Sequence, residues 1–574
     1  MSTERYSISK VGRSYVFVGS DEPLIGETIG FMLERIAKTY ADNDALVFVP
    51  DGRRWTYAQF YRECRAAARS LMAMGVQRGD RVAIWATNHP EWVIAQFATA
   101  LIGAILVTVN PAYRTHELEH GLGDSETQTL ILIPSFKSSD YVGMLGEVVP
   151  ELAGSEPGAL ESKKLPLLKN VVLIGAESPG MRSWDEFMKL GSAVSDEEYE
   201  KRRRELDFDD VINIQYTSGT TGMPKGASLT HFNILNNGYH VGETMKLTHR
   251  DRLCIPVPFY HCFGMVLSNL ACVTHGATMV VPGEYFDPKT VLEAVEKERC
   301  TALHGVPTMF IAELALPEFG DYDLGTLRTG IMAGAPCPVE IMKRVNDEMN
   351  MKEVTIAYGQ TETSPVITQT PYNGSLEMRT TTVGPPIPHT EVKIISPETG
   401  RTVPVGVQGE LCCRGYQVMR GYYNNPQATA DTIDEAKWIH TGDLALMKED
   451  GTFKITGRIK NMIIRGGENI YPREIEEFLY TNGKIRDAQV FGVPDRKYGE
   501  EIAVWIQLHE GEESSEDEIR EFCKGKIAHY KIPRYIKFVD EYPMTVTGKI
   551  QKFKMRDIAI GELGLKEDAG IETA

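Results

Sequence analysis

Tyr216-Thr217-Ser218-Gly219-Thr220-Thr221-Gly222-Met223-Pro224-Lys225-Gly226 is the most informative run in this chain. It follows the strand-like Ile212–Gln215 and is expected to lead into a helix. Its three glycines reach backbone conformations closed to other residues, so main-chain N–H groups can converge on an anion. The hydroxyls of Thr217, Ser218, Thr220 and Thr221 add donors, and Lys225 adds a positive charge. Such a loop suits the β- and γ-phosphates of a nucleotide. It is not a Walker loop, because Pro224 stands where G-x-x-x-x-G-K-[ST] needs its second glycine.

The flanking sequence alternates helix and strand patterns. Ile29, Met32, Leu33 and Ile36 follow the i, i+3, i+4, i+7 spacing of an amphipathic helix. A second helix pattern carries Phe60, Cys64 and Leu71 and stops at Gly75, and a third begins near Glu91. Strand-like runs recur at 44–49, 81–86, 130–133, 171–174, 212–216, 278–281 and 354–357. Strands separated by helices predict an α/β domain of parallel sheets covered by helices. After Pro388 the texture changes. Val392, Ile394, Val403, Val407 and Leu411 sit in short pieces broken by Gly and Pro, which predicts a small β-subdomain. From about Arg458, short strands at 488–491 and 503–508 flank helix patterns and predict a small α+β domain. The acidic run 510–518 reads as a solvated loop entering a helix, and Lys201–Arg204 as a solvated surface run.

A length of 574 residues calls for at least two domains. The formal net charge of −18 argues against nucleic acid as the main partner, since a phosphate-tracking surface needs clustered Lys and Arg. The nine cysteines include no C-x-x-C pair, which points to reduced, mostly buried thiols. The N-terminus lacks a signal-peptide layout, no stretch reads as a transmembrane span, and a cytoplasmic protein is the expectation. No His/Cys/Asp cluster has the sequence spacing of a transition-metal site.

The loop and four further motifs, in this order, resemble the adenylate-forming (AMP-binding) superfamily of acyl-CoA synthetases, luciferases and peptide-synthetase adenylation domains. The others are Tyr358-Gly359-Gln360-Thr361-Glu362, Thr441-Gly442-Asp443, Gly457-Arg458-Ile459-Lys460 and Pro543-Met544-Thr545-Val546-Thr547-Gly548-Lys549. Within it, overall texture is most similar to the medium-chain fatty acyl-CoA synthetase group. The resemblance implies a large domain, 1–459, binding ATP and the acyl group, and a mobile lid, 460–574, turning about Lys460. It implies that Glu362 holds Mg²⁺, Thr361 contacts the α-phosphate, and Tyr358, Gly359 and Gln360 border adenine with Gly334, Ala335 and Pro336. Asp443 would accept from the ribose hydroxyls, Arg458 would contact ribose or phosphate, and Lys549 would bridge the substrate carboxylate and the α-phosphate. His261, Val306 and Gly334 would line the acyl pocket, and Gly466, Gly467 and Glu468 the path of CoA. Asn461 stands where the family often carries an aspartate.

The chemistry fits these roles. Magnesium prefers carboxylate and phosphate oxygens, an ionised carboxylate is acceptor-only, and a positioned ammonium stabilises charge gathering around phosphorus. The implied activity is AMP-forming ligation of a carboxylic acid, a medium-chain fatty acid by preference, to CoA, releasing AMP and pyrophosphate. Alternatives are an aromatic or alicyclic acid, a carrier-protein acceptor, or a non-catalytic acyl- or nucleotide-binding protein. The sequence leaves a homo-oligomer open.

Overall fold

Thr28 caps the first helix. Its Oγ1 accepts from the backbone N–H of Phe31, one of the orphan donors of a helix start, and Ile29–Thr39 follows. Ile29, Met32, Leu33 and Ile36 are all buried, on the face that their spacing predicts. Tyr57–Ala73 opens with a capping box in which Thr56 and Gln59 satisfy each other's backbone N–H. Pro90–Ile102 behaves differently, since all 13 of its residues are buried. A helix buried all round belongs inside a core, where each fully covered Leu, Ile or Phe contributes about 1.5–3 kcal/mol. Its amide residue is satisfied there: Gln96 donates to the Met265 carbonyl (3.1 Å) and accepts from Asn269 (2.9 Å).

This computed structural model describes residues 5–217, 224–335, 337–465, 468–545 and 550–565. They belong to two compact units: Met1–Ile8, Val16–Val392 and Cys413–Ile439 in one, and Ser9–Tyr15, Lys393–Cys412 and His440–Ala574 in the other. The first unit contains two eight-stranded mixed sheets. In one, Asn170–Leu173, Thr129–Leu132, Arg81–Trp85, Ile105–Thr108 and Val211–Thr217 run parallel, and Lys225–Thr230 adds antiparallel. In the other, a parallel centre runs from Asp44–Phe48 through Thr278–Val281, Arg252–Cys254, Ala302–Leu303 and Thr329–Ala333 to Glu353–Gly359. Both of its edges are antiparallel, Val366–Gln369 on one side and Arg53–Thr56 on the other.

The expected helix directly after the glycine and hydroxyl loop is a strand. Lys225–Thr230 pairs with Val211–Thr217 on one side and Gly421–Tyr422 on the other. Pairing on both edges overrides local preference. Gly226 is needed there, since a Cβ would lie 2.8 Å from Ile214 Cγ2. The helix starts only at His231, where Thr230 and Asn233 form a capping box. Within the run Lys201–Arg204, where Lys201 and Arg204 are exposed as expected, one residue departs. Arg203 is buried, paired with Glu34 at 2.6 Å and set over the Phe31 ring.

After Pro388, Thr390–Ile395, Gly409–Gly415, Ile439–Met447 and Phe453–Arg458 are strands of a six-stranded sheet, the expected β-subdomain. Val392, Ile394 and Leu411 lie in them. Val403 and Val407 do not: Thr402 and Pro404 make only isolated bridges, and Val407 is exposed. The C-terminal α+β portion holds a five-stranded sheet centred on Gly499–Leu508, paired with Ile485–Asp495, Tyr535–Phe538 and Ile463–Arg465. The acidic run ends in helix Glu516–Cys523, capped by Ser515 with three carboxylates in its first turn. Eight of the nine cysteines are buried, Cys337 is half-buried, and all are free. Among the described residues no helix is long and apolar enough to cross a membrane.

Candidate active site

The hairpin register fixes the base of the phosphate loop. Thr217 stands directly opposite Lys225, and its Oγ1 donates to the Lys225 carbonyl at 3.4 Å. Ser218, Gly219, Thr220, Thr221 and Gly222, expected to touch phosphates, lie outside the described residues. On the far side of the same strand, Ala227 pairs with Tyr422. Tyr422 then ties two of the expected residues together. Its ring lies 5.2 Å from the Lys225 ammonium, and its hydroxyl donates to Glu362 Oε1 at 2.8 Å. Burial first, then the neighbouring Glu362 charge, pushes the Tyr422 phenol up, so it stays a neutral donor. Sequence reasoning missed Tyr422, because a two-residue strand shows no periodicity.

Glu362 is positioned by a tight turn. Strand Glu353–Gly359 ends at Gly359, where a Cβ would sit 1.8 Å from the Pro365 carbonyl oxygen; only glycine fits. Gln360 N–H donates to that carbonyl at 2.9 Å, and Thr363 Oγ1 donates to it at 2.7 Å. Thr361 and Glu362 are therefore carried, half-buried, on the one-turn 3₁₀ helix Thr361–Thr363. Glu362 keeps a second oxygen, and among the described residues no cation pairs with it. One carboxylate of this kind beside substrate phosphates is a suitable seat for Mg²⁺.

Gly334 and Ala335 leave the carboxyl end of Thr329–Ala333, beside the strand that ends in Tyr358 and Gly359; Ala333 pairs with Ala357. Carboxyl ends of neighbouring parallel strands are where open α/β sheets bind ligands. Gly334 has φ +89°, and a Cβ on it would meet Val306 Cγ1 at 3.3 Å, so the two expected acyl-pocket residues are neighbours. Pro336 lies outside the described residues. His261 precedes the π-helix Phe263–Leu270, a form frequent at functional sites. Its Nδ1 accepts from Phe263 N–H at 3.1 Å, which places the proton of the neutral ring on Nε2. Cys262 Sγ donates to Gln215 at 3.0 Å, tying this turn to the strand that enters the phosphate loop. Behind it, His304 is fully buried between Ser268 (3.0 Å) and the Phe263 ring, and burial lowers its pKa to about 3.

In the second unit, Asp443 and Arg458 face each other across two antiparallel strands, and Arg458 Nε donates to Asp443 Oδ1 at 2.8 Å. Asp443 is buried and Arg458 is half-exposed. The turn before it is held from below: Thr441 Oγ1 donates to the Leu411 carbonyl at 2.7 Å, and Gly442 N–H donates to Glu410 Oε1 at 3.0 Å. Lys460 is exposed on the short turn Ile459–Asn461. Lys549 lies outside the described residues, but its flanks do not. Met544 bridges Ile550, Gln551 N–H donates to the Pro543 carbonyl at 2.8 Å, and Lys552 is anchored on Glu476 and the Val490 carbonyl (2.9 Å). Gly466, Gly467 and the Glu468 side chain are likewise outside it, between strands Ile463–Arg465 and Glu468–Ile470.

Comparison with known proteins gives a consistent result. Residues 33–423 match the AMP-binding enzyme family and 474–549 the AMP-binding enzyme C-terminal domain. The chain is 56% identical over 538 residues to YngI of Bacillus subtilis (strain 168), whose name gives it provisionally as an acyl-CoA synthetase; the match covers 94% of this chain and 98% of that one. It is 44% identical over 551 residues to the human mitochondrial medium-chain acyl-CoA ligase ACSF2, covering 95% and 90%. Among solved structures it is similar to anthranilate CoA ligase AuaEII in complex with anthranoyl-AMP, with TM-score 0.82, 26% identity and coverage of 95% and 99%.

Proposed function

Since the chain belongs to the AMP-binding enzyme family and is an AMP-forming acyl-CoA ligase, we propose that its acid substrate is a medium-chain fatty acid, activated as an acyl-adenylate and passed to CoA. The observation that carries the nucleotide half is the Lys225–Tyr422–Glu362 corner, which gathers a cation and a carboxylate held by a neutral phenol at the base of the phosphate loop. The observation that carries the acid is the near full-length similarity to relatives named medium-chain ligases.

In the first half-reaction the fatty carboxylate attacks the α-phosphorus of ATP and pyrophosphate leaves. The hydroxyl and glycine loop with Lys225 holds the leaving group, Thr361 orients the α-phosphate, and Asp443 with Arg458 takes the ribose. Gly334 and Tyr358 to Gln360 border adenine, and His261, Val306 and Gly334 shape the acyl entrance. Glu362 is the residue that would hold Mg²⁺, which neutralises the triphosphate when bound. Lys549 stabilises charge on the oxygens around phosphorus. In the second half-reaction the C-terminal domain turns about Lys460, withdraws Lys549 and brings Gly466, Gly467 and Glu468 to the adenylate, so that the CoA thiol displaces AMP. Successive steps needing different groups are served by two positions of one hinge.

Lys549→Ala is expected to slow adenylate formation, read by pyrophosphate–ATP exchange, by about 10²–10³-fold. Thioester formation from supplied acyl-adenylate should persist, and equal loss in both steps would contradict the division of labour. The substrate is tested with fatty acids of graded length alongside anthranilate. An aromatic acid is the second reading, favoured by the fold shared with the anthranilate ligase. A higher kcat/KM for anthranilate than for any fatty acid overturns the first.

A further inference from the structure

We propose that Glu410, Cys412 and His440 form a site for one thiophilic divalent cation, of the kind Zn²⁺ represents, beside the turn that carries Asp443. This site is separate from the phosphate corner and does not depend on the identity of the acid.

The donors come from two neighbouring strands. Glu410 and Cys412 are two residues apart on Gly409–Gly415, so their side chains leave the same face, and His440 sits on Ile439–Met447 beside them. One ligand atom from each lies within 4.8 Å of the others, and among the described residues no second group of three converges in this way. His440 Nδ1 is 2.9 Å from Glu410 Oε2 and 3.6 Å from Cys412 Sγ. An Nδ1 that donates its proton to the Glu410 carboxylate offers the Cys412 sulfur only a weak share of the same hydrogen. A cation between them would bond all three groups.

The spans suit the ion. Zinc bonds of about 2.3 Å to sulfur and about 2.0–2.2 Å to nitrogen and oxygen put tetrahedral ligands roughly 3.5 Å apart. The sulfur–nitrogen distance already matches, and the oxygen–nitrogen pair needs to open by a few tenths of an ångström. Glu410 Oε1 accepts from Gly442 N–H at 3.0 Å, the kind of outer bond that orients a ligating carboxylate. A thiol, an imidazole and a single carboxylate select zinc-like ions over magnesium. Cys412 is fully buried, and the one-third exposure of the His440 side chain supplies the way in. Cations of this class reach the nucleotide machinery through Glu410, which touches both the ion and the turn ahead of Asp443.

Co²⁺ is the probe, added to reduced, chelator-stripped full-length protein in excess Mg²⁺. One equivalent should bind with a near-ultraviolet thiolate-to-cobalt absorption, and one equivalent of Zn²⁺ should remove it. Cys412→Ser should abolish the band, and His440→Gln, which keeps the thiol, should lose stoichiometric binding. No band in the native protein overturns the proposal. So does a band of equal intensity in Cys412→Ser, or full binding by His440→Gln should the serine variant fail to fold.

Discussion

Two carboxylates of this enzyme, Glu362 and Asp443, are held in opposite ways. Glu362 rests on the hydroxyl of a neutral phenol, with no cationic partner among the described residues. Asp443 is buried against a guanidinium that takes one of its oxygens. A carboxylate supported by a neutral donor keeps its charge for an incoming cation, whereas a paired one offers mainly directional acceptance. The first suits a metal ion, the second the hydroxyls of a ribose.

Replacing Glu362 should cost the most. Glu362→Gln should lower pyrophosphate–ATP exchange by about 10²–10³-fold, as expected when preorganised charge is lost from a transition state. An isosteric amide that works as well as the acid would erase the contrast. Asp443→Asn should cost less, about 10–100-fold in kcat/KM for ATP, the worth of a hydrogen bond to a charged group. Its loss should be insensitive to Mg²⁺ concentration, unlike that of Glu362→Gln. Tyr422→Phe keeps the ring over Lys225 while deleting the hydroxyl. We expect Mn²⁺ binding, followed by electron paramagnetic resonance with ATP present, to weaken by about tenfold, as for other residues that orient a metal-binding carboxylate. Unchanged Mn²⁺ affinity would leave Tyr422 a packing residue only.

The smallest effect concerns stability. Burial lowers the pKa of His231 to about 4 and of His240 and His304 to about 3. Each stays neutral in the folded chain while the unfolded chain takes up protons below about 6.5. The unfolded state therefore binds more protons between these values, and stability falls as pH drops from about 6.5 toward 3. Denaturant midpoints should decline over that window, and His304→Gln should flatten the slope.

Much of this was legible in the sequence because periodicity reports burial. The helix of Ile29, Met32, Leu33 and Ile36 follows from its spacing, and core strands such as Arg81–Trp85 and Thr129–Leu132 from short, continuously apolar runs. Motifs also singled out Glu362, Thr361, Asp443 and Arg458 by resemblance, and the fold puts Glu362 against Tyr422 and Asp443 against Arg458. What escaped has a common cause. Lys225–Thr230 is a strand because partners from positions 211–217 and 421–422 pair with it, and Tyr422 matters because a distant turn delivers Glu362 to its hydroxyl. Glu410, Cys412 and His440 converge through sheet neighbours, with a spacing of two residues and then 28 that no linear pattern flags. Long-range pairing was the missing information.

The hairpin Val211–Thr217/Lys225–Thr230 has a practical corollary for anyone wishing to graft a loop from a relative. Thr217 and Lys225 close a ladder, so the intervening segment is exchangeable as a cassette only if the stems keep their count. A one-residue slip of the Lys225 strand against its partners would swing its side chains to the opposite face, sending the ammonium away from its tyrosine.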